Sequence, residues 1–95
     1  MIQVEVSFFA NVRVLTDEPR TTINLPEKSS ILDLMHSLKN RYSEAFEGYI
    51  FAEKDHLEQY VVVILNGRGI GILDGLETPL SDGDLVSVMP AVGGG

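Results

Sequence analysis

Alternating apolar and polar residues near both ends of the chain predict β-strands. From Ile2 to Phe8 every second residue is apolar, and a similar alternation returns at Arg20 to Leu25 and at Leu85 to Met89. A period of two is typical of a strand that buries one face. Residues 10–13 are expected to form a short connection before a turn at 17–19. The first two strands therefore predict an N-terminal hairpin.

A different apolar pattern predicts a strand in the middle of the sheet. Tyr60 to Leu65 is an almost wholly apolar, β-branched run, which is typical of a central strand buried on both faces. Asn66-Gly67 follows at once and predicts a tight turn, because both residues tolerate positive φ. Residues Arg68 to Ile72 are expected to return as a short strand, which Gly69 and Gly71 weaken.

The clearest helix is predicted between Ser30 and Tyr42. Ser30 and Asp33 have the spacing of a capping box, in which each side chain accepts a hydrogen bond from the other residue's backbone. Lys39 and Arg41 in the last turns suit the negative end of the helix dipole. One stripe of the helix is apolar and is expected to pack in the core. It comprises Ile31, Leu34, Met35, Leu38 and Tyr42.

The order of these elements predicts an α+β fold in a single domain. Residues Ser43 to Gln59 carry the weakest pattern and are expected to form a second short helix or an ordered loop that covers one edge of the sheet. The remaining strands surround one main helix, which favours a mixed sheet with the helix packed across it. Ninety-five residues are enough for one small domain. The arrangement resembles the β-grasp of ubiquitin-like proteins.

The composition excludes several classes of function. The chain has no cysteine, which removes disulfides, thiolate catalysis and cysteine-based zinc sites. Seven basic against fourteen acidic residues give a net charge of −7, which repels nucleic-acid phosphates. The same charge either steers the protein to basic partner surfaces or simply keeps it in solution. Without a membrane-spanning apolar run or a signal pattern, a cytoplasmic protein without membrane contact is expected.

No residue pattern predicts catalysis or cofactor binding by this chain alone. His36 and His56 have no His or Cys partner at ligand spacing, so no metal site is expected. The glycine-rich stretch 67–71 lacks the Lys-Ser/Thr pair and the following helix of a phosphate loop. No Ser-His-Asp arrangement can be argued from the sequence. We therefore expect a protein that is not an enzyme on its own and binds no cofactor.

The C-terminal residues 90–95 carry no charge, no helix former and no large anchor. Pro90 is expected to stop strand pairing and to release this stretch as a flexible tail. Glycines at a terminus are commonly a floppy end or an expression remnant. Alternatively, the terminal carboxylate is itself the reactive group. Glycines have no Cβ, so such a tail fits a narrow tunnel in a partner, where the carboxylate would be activated as an acyl-adenylate.

Short motifs are spread over almost the whole chain, although each alone is common. They are Phe8 to Arg13, the helix from Ser30 to Tyr42, Leu65-Asn66-Gly67, Leu80 to Asp84, and Pro90-Ala91-Val92 with its glycines. In this order and spacing the sequence resembles the MoaD/ThiS sulfur-carrier family, and within it most of all MoaD, the small subunit of molybdopterin synthase. Two departures stand out. Ala91 stands where a second proline is usual, and three glycines end the chain where two are usual.

The resemblance implies a ubiquitin-like β-grasp domain over residues 1–95 and a sulfur-carrying cycle. An ATP-dependent, MoeB-like activating enzyme would adenylate the carboxylate of Gly95, or of Gly94 if the end is trimmed. Sulfide from a sulfurtransferase would then displace AMP and leave a thiocarboxylate. The tail Val92-Gly93-Gly94 would carry this group into a MoaE-like large subunit, where the sulfur builds the dithiolene of molybdopterin.

The resemblance also implies a partner surface on the outer face of the sheet near the tail. Its candidate contacts are Phe9, Arg13, Ile70 and Met89. Phe9 and Met89 are also apolar residues that strand alternation places on exposed faces, although single apolar surface residues are normal. Three other functions stay open. They are sulfur delivery to a thiazole or a tRNA base, a protein modifier joined to lysines, and an interaction module with an inert tail.

Overall fold

The computed structural model describes residues 1–91 of the chain. Its elements, in chain order, are β1 (Ile2–Phe8), α1 (Ala10–Thr16), β2 (Arg20–Leu25), α2 (Ile31–Arg41), α3 (Glu44–Ile50), β3 (Phe51–Glu53), β4 (His56–Leu57), β5 (Val61–Leu65), β6 (Arg68–Gly69) and β7 (Leu85–Pro90). Two 3₁₀ turns, Ile70–Ile72 and Gly75–Glu77, lie between β6 and β7. None of the helices within residues 1–91 is long and apolar enough to cross a membrane.

Five strands form one mixed sheet in the order β2-β1-β7-β5-β6. β7 lies in the middle, parallel to β1 and antiparallel to β5. β1 and β2 pair antiparallel from Ile2–Leu25 to Ser7–Arg20, which confirms their predicted pairing. β3 and β4 form a separate two-stranded sheet. The predicted α+β architecture with a mixed sheet is therefore confirmed.

The hydrophobic core lies between one face of this sheet and α2. β1 buries all four of its alternating apolar residues, Ile2, Val4, Val6 and Phe8. The predicted stripe of α2 contributes Ile31, Leu34, Met35 and Leu38, all fully buried. Burying one such side chain stabilises the fold by about 1.5–3 kcal/mol relative to leaving it exposed. Phe8 also meets Tyr42 and Phe46 edge-on, at 5.5 and 6.3 Å between ring centroids.

Side-chain hydrogen bonds start α2 as the sequence predicts. The Oγ of Ser30 accepts a hydrogen bond from the backbone N–H of Asp33 at 3.3 Å. In return, Oδ2 of Asp33 accepts from the backbone N–H of Ser30 at 2.8 Å. This reciprocal pair satisfies two donors that would otherwise lack a partner in the first turn. A helix cap of this kind contributes about 1 kcal/mol.

The prediction of a short connection at residues 10–13 is wrong, because these residues begin α1. Phe9 precedes the helix in an extended conformation, and Ala10 enters it with a φ of 53°. Val12 and Thr16, four residues apart, are buried, so the helix packs one face inward. Two buried positions in seven residues give too weak a period to be recognised in the sequence.

The weakly patterned segment 43–59 contains both a helix and a hairpin. α3 buries Phe46 and Ile50 and packs against α1 and α2, which confirms one of the two predicted alternatives. The hairpin of β3 and β4 follows. It is tied to α2 by a contact of 2.7 Å between Nε2 of His36 and Oδ1 of Asp55. The ring of His36 also stacks on Phe51, with ring centroids 5.7 Å apart.

β5 is not the central strand buried on both faces that the sequence predicts. It lies between β7 and the edge strand β6, and only Val63 and Leu65 are buried. Val62 and Ile64 alternate with them and are partly exposed on the face of the sheet opposite α2. An apolar run alone does not distinguish a second core from an apolar surface.

The turn after β5 is confirmed, but the strand that follows it is shorter than predicted. Asn66 and Gly67 both adopt positive φ, at 50° and 87°. They connect β5 to β6 through a pair between Leu65 and Arg68. β6 contains two residues only, because the chain turns into a 3₁₀ helix at Ile70.

The surroundings of Tyr42 lead us to expect that the free energy of unfolding falls in alkaline solution. Its hydroxyl donates a hydrogen bond to Oε2 of Glu18. Burial, followed by this hydrogen bond, raises the pKa of Tyr42 above its ordinary value of 10.0. The folded state therefore holds the phenol proton more tightly than the unfolded chain. This contribution is fully present below the unfolded pKa and is lost as the pH rises through the folded pKa.

We expect urea unfolding to show a smaller alkaline loss of unfolding free energy in Tyr42→Phe than in the wild type. The difference should develop at pH values above about 10. Tyr49→Phe is the matched control, because it also removes one phenol but leaves the hydrogen bond between Tyr42 and Glu18 in place, so it should keep the alkaline loss that Tyr42 causes. Parallel losses in the wild type and in Tyr42→Phe would contradict this assignment.

Candidate functional site

β7, the last strand within residues 1–91, is hydrogen-bonded to a neighbouring strand on each side. The prediction that Pro90 stops strand pairing is wrong, because Pro90 belongs to β7 and pairs with Val61. The backbone N–H of Ala91 then donates a hydrogen bond to the carbonyl oxygen of Tyr60. Proline lacks only its own donor, so the ladder continues one residue later. The predicted tail residues Val92, Gly93, Gly94 and Gly95 lie outside the described residues.

Next to the end of β7, the outer face of the sheet, opposite α2, presents apolar side chains. Side chains alternate along a strand, so Met89 of β7 and Val62 of β5, which pair with each other, share the outer face. Phe9 lies one residue past β1, and its N–H donates to the carbonyl oxygen of Val88 at 3.2 Å. Phe9, Met89 and Val62 therefore form a row across three neighbouring segments, which we call the tail-side apolar row.

The structure brings three of the four predicted contact residues to this place. Phe9 is 46% exposed, and Met89 is half-buried. Arg13 is exposed in the first turn of α1, where its N–H donates to the carbonyl oxygen of Phe9 at 3.4 Å. Ile70 instead follows the edge strand β6 and packs against the hydrophobic core. It lies on the other side of β5 from the tail.

Three apolar residues of the outer face were not singled out from the sequence. The sequence predicts that Val62 and Ile64 belong to a core on both faces of β5, whereas in the structure both are half-buried. Leu85 is 55% exposed at the start of β7. The alternation of side chains along β7 is the sequence signal that could have identified these residues. It places Leu85 and Met89 on one face, and the antiparallel register then assigns Val62 and Ile64 to the same face.

Most acidic residues of the protein lie outside the strands of the five-stranded sheet. Residues 43–58 contain five acidic residues and one lysine, and residues 74–84 contain four acidic residues and no basic one. The outer-face positions of the five-stranded sheet carry only Glu5 and Arg20 as charged side chains. Arg13 lies beside the tail-side apolar row. The outer face of the strands therefore has few charged side chains, although Glu58 lies near Tyr60 at its border.

Both histidines have local partners in the fold. His36 contacts Asp55 as described, and Nδ1 of His56 lies 3.0 Å from the carbonyl oxygen of Lys54. Across residues 1–91, no group of three or more His, Asp or Glu side chains is arranged to hold a metal ion.

Tyr60 borders the exit of the tail and keeps its phenol proton. Burial, followed by the charge of nearby Glu58, raises the pKa of Tyr60 above its ordinary value of 10.0. Its hydroxyl donates a hydrogen bond to the carbonyl oxygen of Tyr49 at 2.8 Å. A protonated phenol is a donor, so this bond persists over the ordinary pH range.

The mixed sheet and the helix packed across it define a ubiquitin-like β-grasp protein, and its sequence ends in three glycines. A model of the ThiS family matches residues 6–95. The chain belongs to the ThiS family, which confirms the resemblance to MoaD/ThiS proteins that the sequence motifs indicate.

The proteins to which this chain is similar include small archaeal modifier proteins and a candidate molybdopterin converting factor. The chain is 33% identical to small archaeal modifier protein 3 of Haloferax volcanii, over 99% of the chain and 100% of the relative. Small archaeal modifier protein 1 of Methanosarcina acetivorans has a TM-score of 0.86 and 32% identity, over 100% and 98% of the two chains. A candidate molybdopterin converting factor, subunit 1, of Pyrococcus furiosus has a TM-score of 0.79 and 32% identity, over 97% and 100%. These similarities confirm the predicted β-grasp fold.

Proposed function

We propose that this protein carries sulfur as a thiocarboxylate on its C-terminal glycine and donates it for molybdopterin synthesis. It would act as the small subunit beside a MoaE-like large subunit. The observation that carries the proposal is that β7 brings Ala91, four residues before Gly95, next to the partly exposed tail-side apolar row. The similarity to the Pyrococcus furiosus candidate molybdopterin converting factor supports this choice.

Activation requires two steps that both take place on the carboxylate of Gly95, or of Gly94 if the end is trimmed. On a MoeB-like enzyme the carboxylate oxygen attacks the α-phosphorus of ATP, which gives an acyl-adenylate and releases pyrophosphate. Sulfide supplied by a sulfurtransferase then attacks the acyl carbon, the bond to AMP breaks, and a thiocarboxylate remains. ATP is bound by the activating partner, and this chain supplies only the acyl group.

The length of the tail suits a buried reaction. Residues 92–95, if extended, span about 13 Å, which is enough to place the carboxylate inside a partner while the globular domain stays on its surface. Such a site keeps water from the acyl-adenylate and limits its hydrolysis. Glycines 93–95 pass through a narrow tunnel because they have no side chains. The partner supplies the cationic groups that stabilise the developing charge.

The tail-side apolar row and Arg13 are the surface on which we expect the activating enzyme to dock. An exposed aromatic residue at the centre of such a contact commonly contributes more than its share of the binding energy. Phe9 is the large aromatic member of the row. Ile70 is a less suitable contact, because it packs against the core beyond β5.

A modifier function is the second candidate, and the names of two relatives favour it. Small archaeal modifier proteins 3 and 1 are 33% and 32% identical to this chain over nearly its whole length. In this case a lysine amine of a target protein attacks the acyl carbon in place of sulfide. AMP leaves, a proton is released, and an isopeptide bond forms. The globular domain and the acyl-adenylate are the same in both functions.

The first test is the intact mass of the protein after incubation with ATP, sulfide and its activating enzyme. We expect a shift that matches replacement of one carboxylate oxygen by sulfur, localised to the C-terminal peptide. A variant without Gly94-Gly95 is the control and should not react, whereas a variant ending at Gly94 tests a trimmed terminus. An unshifted mass for all forms, with an enzyme that activates its own carrier, would refute the proposal.

A second experiment separates the two candidate functions. The tagged protein is recovered from host cells under denaturing and native conditions. Stable recovery of a MoaE-like subunit in the native sample is the expected result for molybdopterin synthesis. Denaturation-resistant adducts that carry the C-terminal peptide on target lysines would instead support the modifier function and overturn the first choice.

Phe9→Ala tests the docking surface. We expect the KM of the activating enzyme for this protein to rise about tenfold at an unchanged kcat, since loss of one central aromatic contact costs roughly 1.4 kcal/mol. ATP–pyrophosphate exchange measures both constants. Ile72→Ala is the matched control, because Ile72 is 78% exposed but lies outside the outer face of the strands. Equal effects of the two substitutions would argue against this surface.

A further inference from the structure

The last hydrogen bond before the tail joins two residues that both lie outside regular strands. β7 ends at Pro90 and β5 begins at Val61, yet the N–H of Ala91 still donates to the carbonyl oxygen of Tyr60. Pro90 has no N–H, so the amide of Ala91 is the final described donor that ties the chain to β5. The position of Ala91 therefore depends on how firmly Tyr60 is held.

The side chain of Tyr60 is held by α3. Its hydroxyl donates to the carbonyl oxygen of Tyr49 at 2.8 Å, and its ring packs edge-on against the ring of Tyr49, with centroids 4.9 Å apart. Tyr49 itself lies between the fully buried Phe46 and Ile50 on α3. A continuous set of contacts thus runs from the core through Tyr49 and Tyr60 to the backbone of Ala91.

We infer that Tyr60 is a positioning residue for the C-terminal tail, and that its contact with Tyr49 fixes the point from which the reactive glycine reaches its partner. This inference rests on the proposed activation of the terminal carboxylate. If Pro90 and Ala91 were released from Val61 and Tyr60, the activating enzyme would have to order two more residues when it binds the chain. Ordering each additional residue lowers the affinity for the activating enzyme. The contact between Tyr60 and Tyr49 therefore acts on binding and not on the chemical step.

The direct test is amide hydrogen exchange at Ala91, measured by NMR on the free protein. In Tyr60→Ala we expect exchange at Ala91 to accelerate about tenfold, while Val63 and Val88 keep wild-type rates. Tyr60→Phe retains the ring contact and should give a smaller increase. Tyr42→Phe is the matched control, since it also removes a hydrogen-bonded phenol, and it should leave Ala91 unchanged. Unchanged exchange at Ala91 in both Tyr60 variants would overturn the inference.

Kinetics with the activating enzyme give the second readout. We expect Tyr60→Ala to raise KM roughly three- to tenfold at an unchanged kcat, with Tyr60→Phe between it and the wild type. A fall in kcat at an unchanged KM would contradict a positioning role. If Tyr60→Ala does not fold, Tyr60→Phe alone still decides the question at Ala91. Absence of any activation of the wild type would refute the proposed function, whereas the exchange experiment tests the anchor without the enzyme.

Discussion

The placement of β7 in the middle of the sheet is the constraint on which the rest of the molecule depends. β7 is the last strand within residues 1–91, and it lies between β1 and β5. Its start is locked to β1, because the N–H of Glu5 donates to the carbonyl oxygen of Asp84 at 3.0 Å and the N–H of Gly83 donates to that of Gln3 at 2.8 Å. Its buried Val86 and Val88 face the α2 side. A strand held in this way carries its C-terminus to a defined place on the surface.

Much of this architecture could be predicted from the sequence, because alternation and helical spacing report burial directly. Val4 and Val6 of β1 have no exposed surface, as a period of two requires of the face toward a core. The spacing of Ser30 and Asp33 predicted the start of α2 to the residue, since a capping box works only at that offset. These patterns depend on contacts within one element, so no knowledge of distant residues is needed.

The wrong sequence predictions have a common cause. Each concerns a feature that is set by the packing of one helix or strand against another. α1 has only two buried residues. That they form the buried face of a helix becomes clear only from the structure, in which α1 packs beside β7. Val62 and Ile64 look like core residues, because an apolar surface that binds a partner has the same composition as a core. Pro90 breaks the rule that proline ends a strand, since Tyr60 accepts from the next residue. Two of these errors fall at the candidate site, where local rules fail most often.

Most acidic residues lie outside the strands of the outer face, and this arrangement suits a protein that docks through that face. The acidic segments 43–58 and 74–84 would orient the protein as it approaches a basic surface, and this effect would act mainly on the association rate. The outer face of the strands has few charged side chains, so docking through it would bury few charges that a partner has to match. In both proposed functions the same face would dock on the activating enzyme and the same acyl-adenylate would form. Whether sulfide or a lysine amine then attacks the acyl carbon would determine the product.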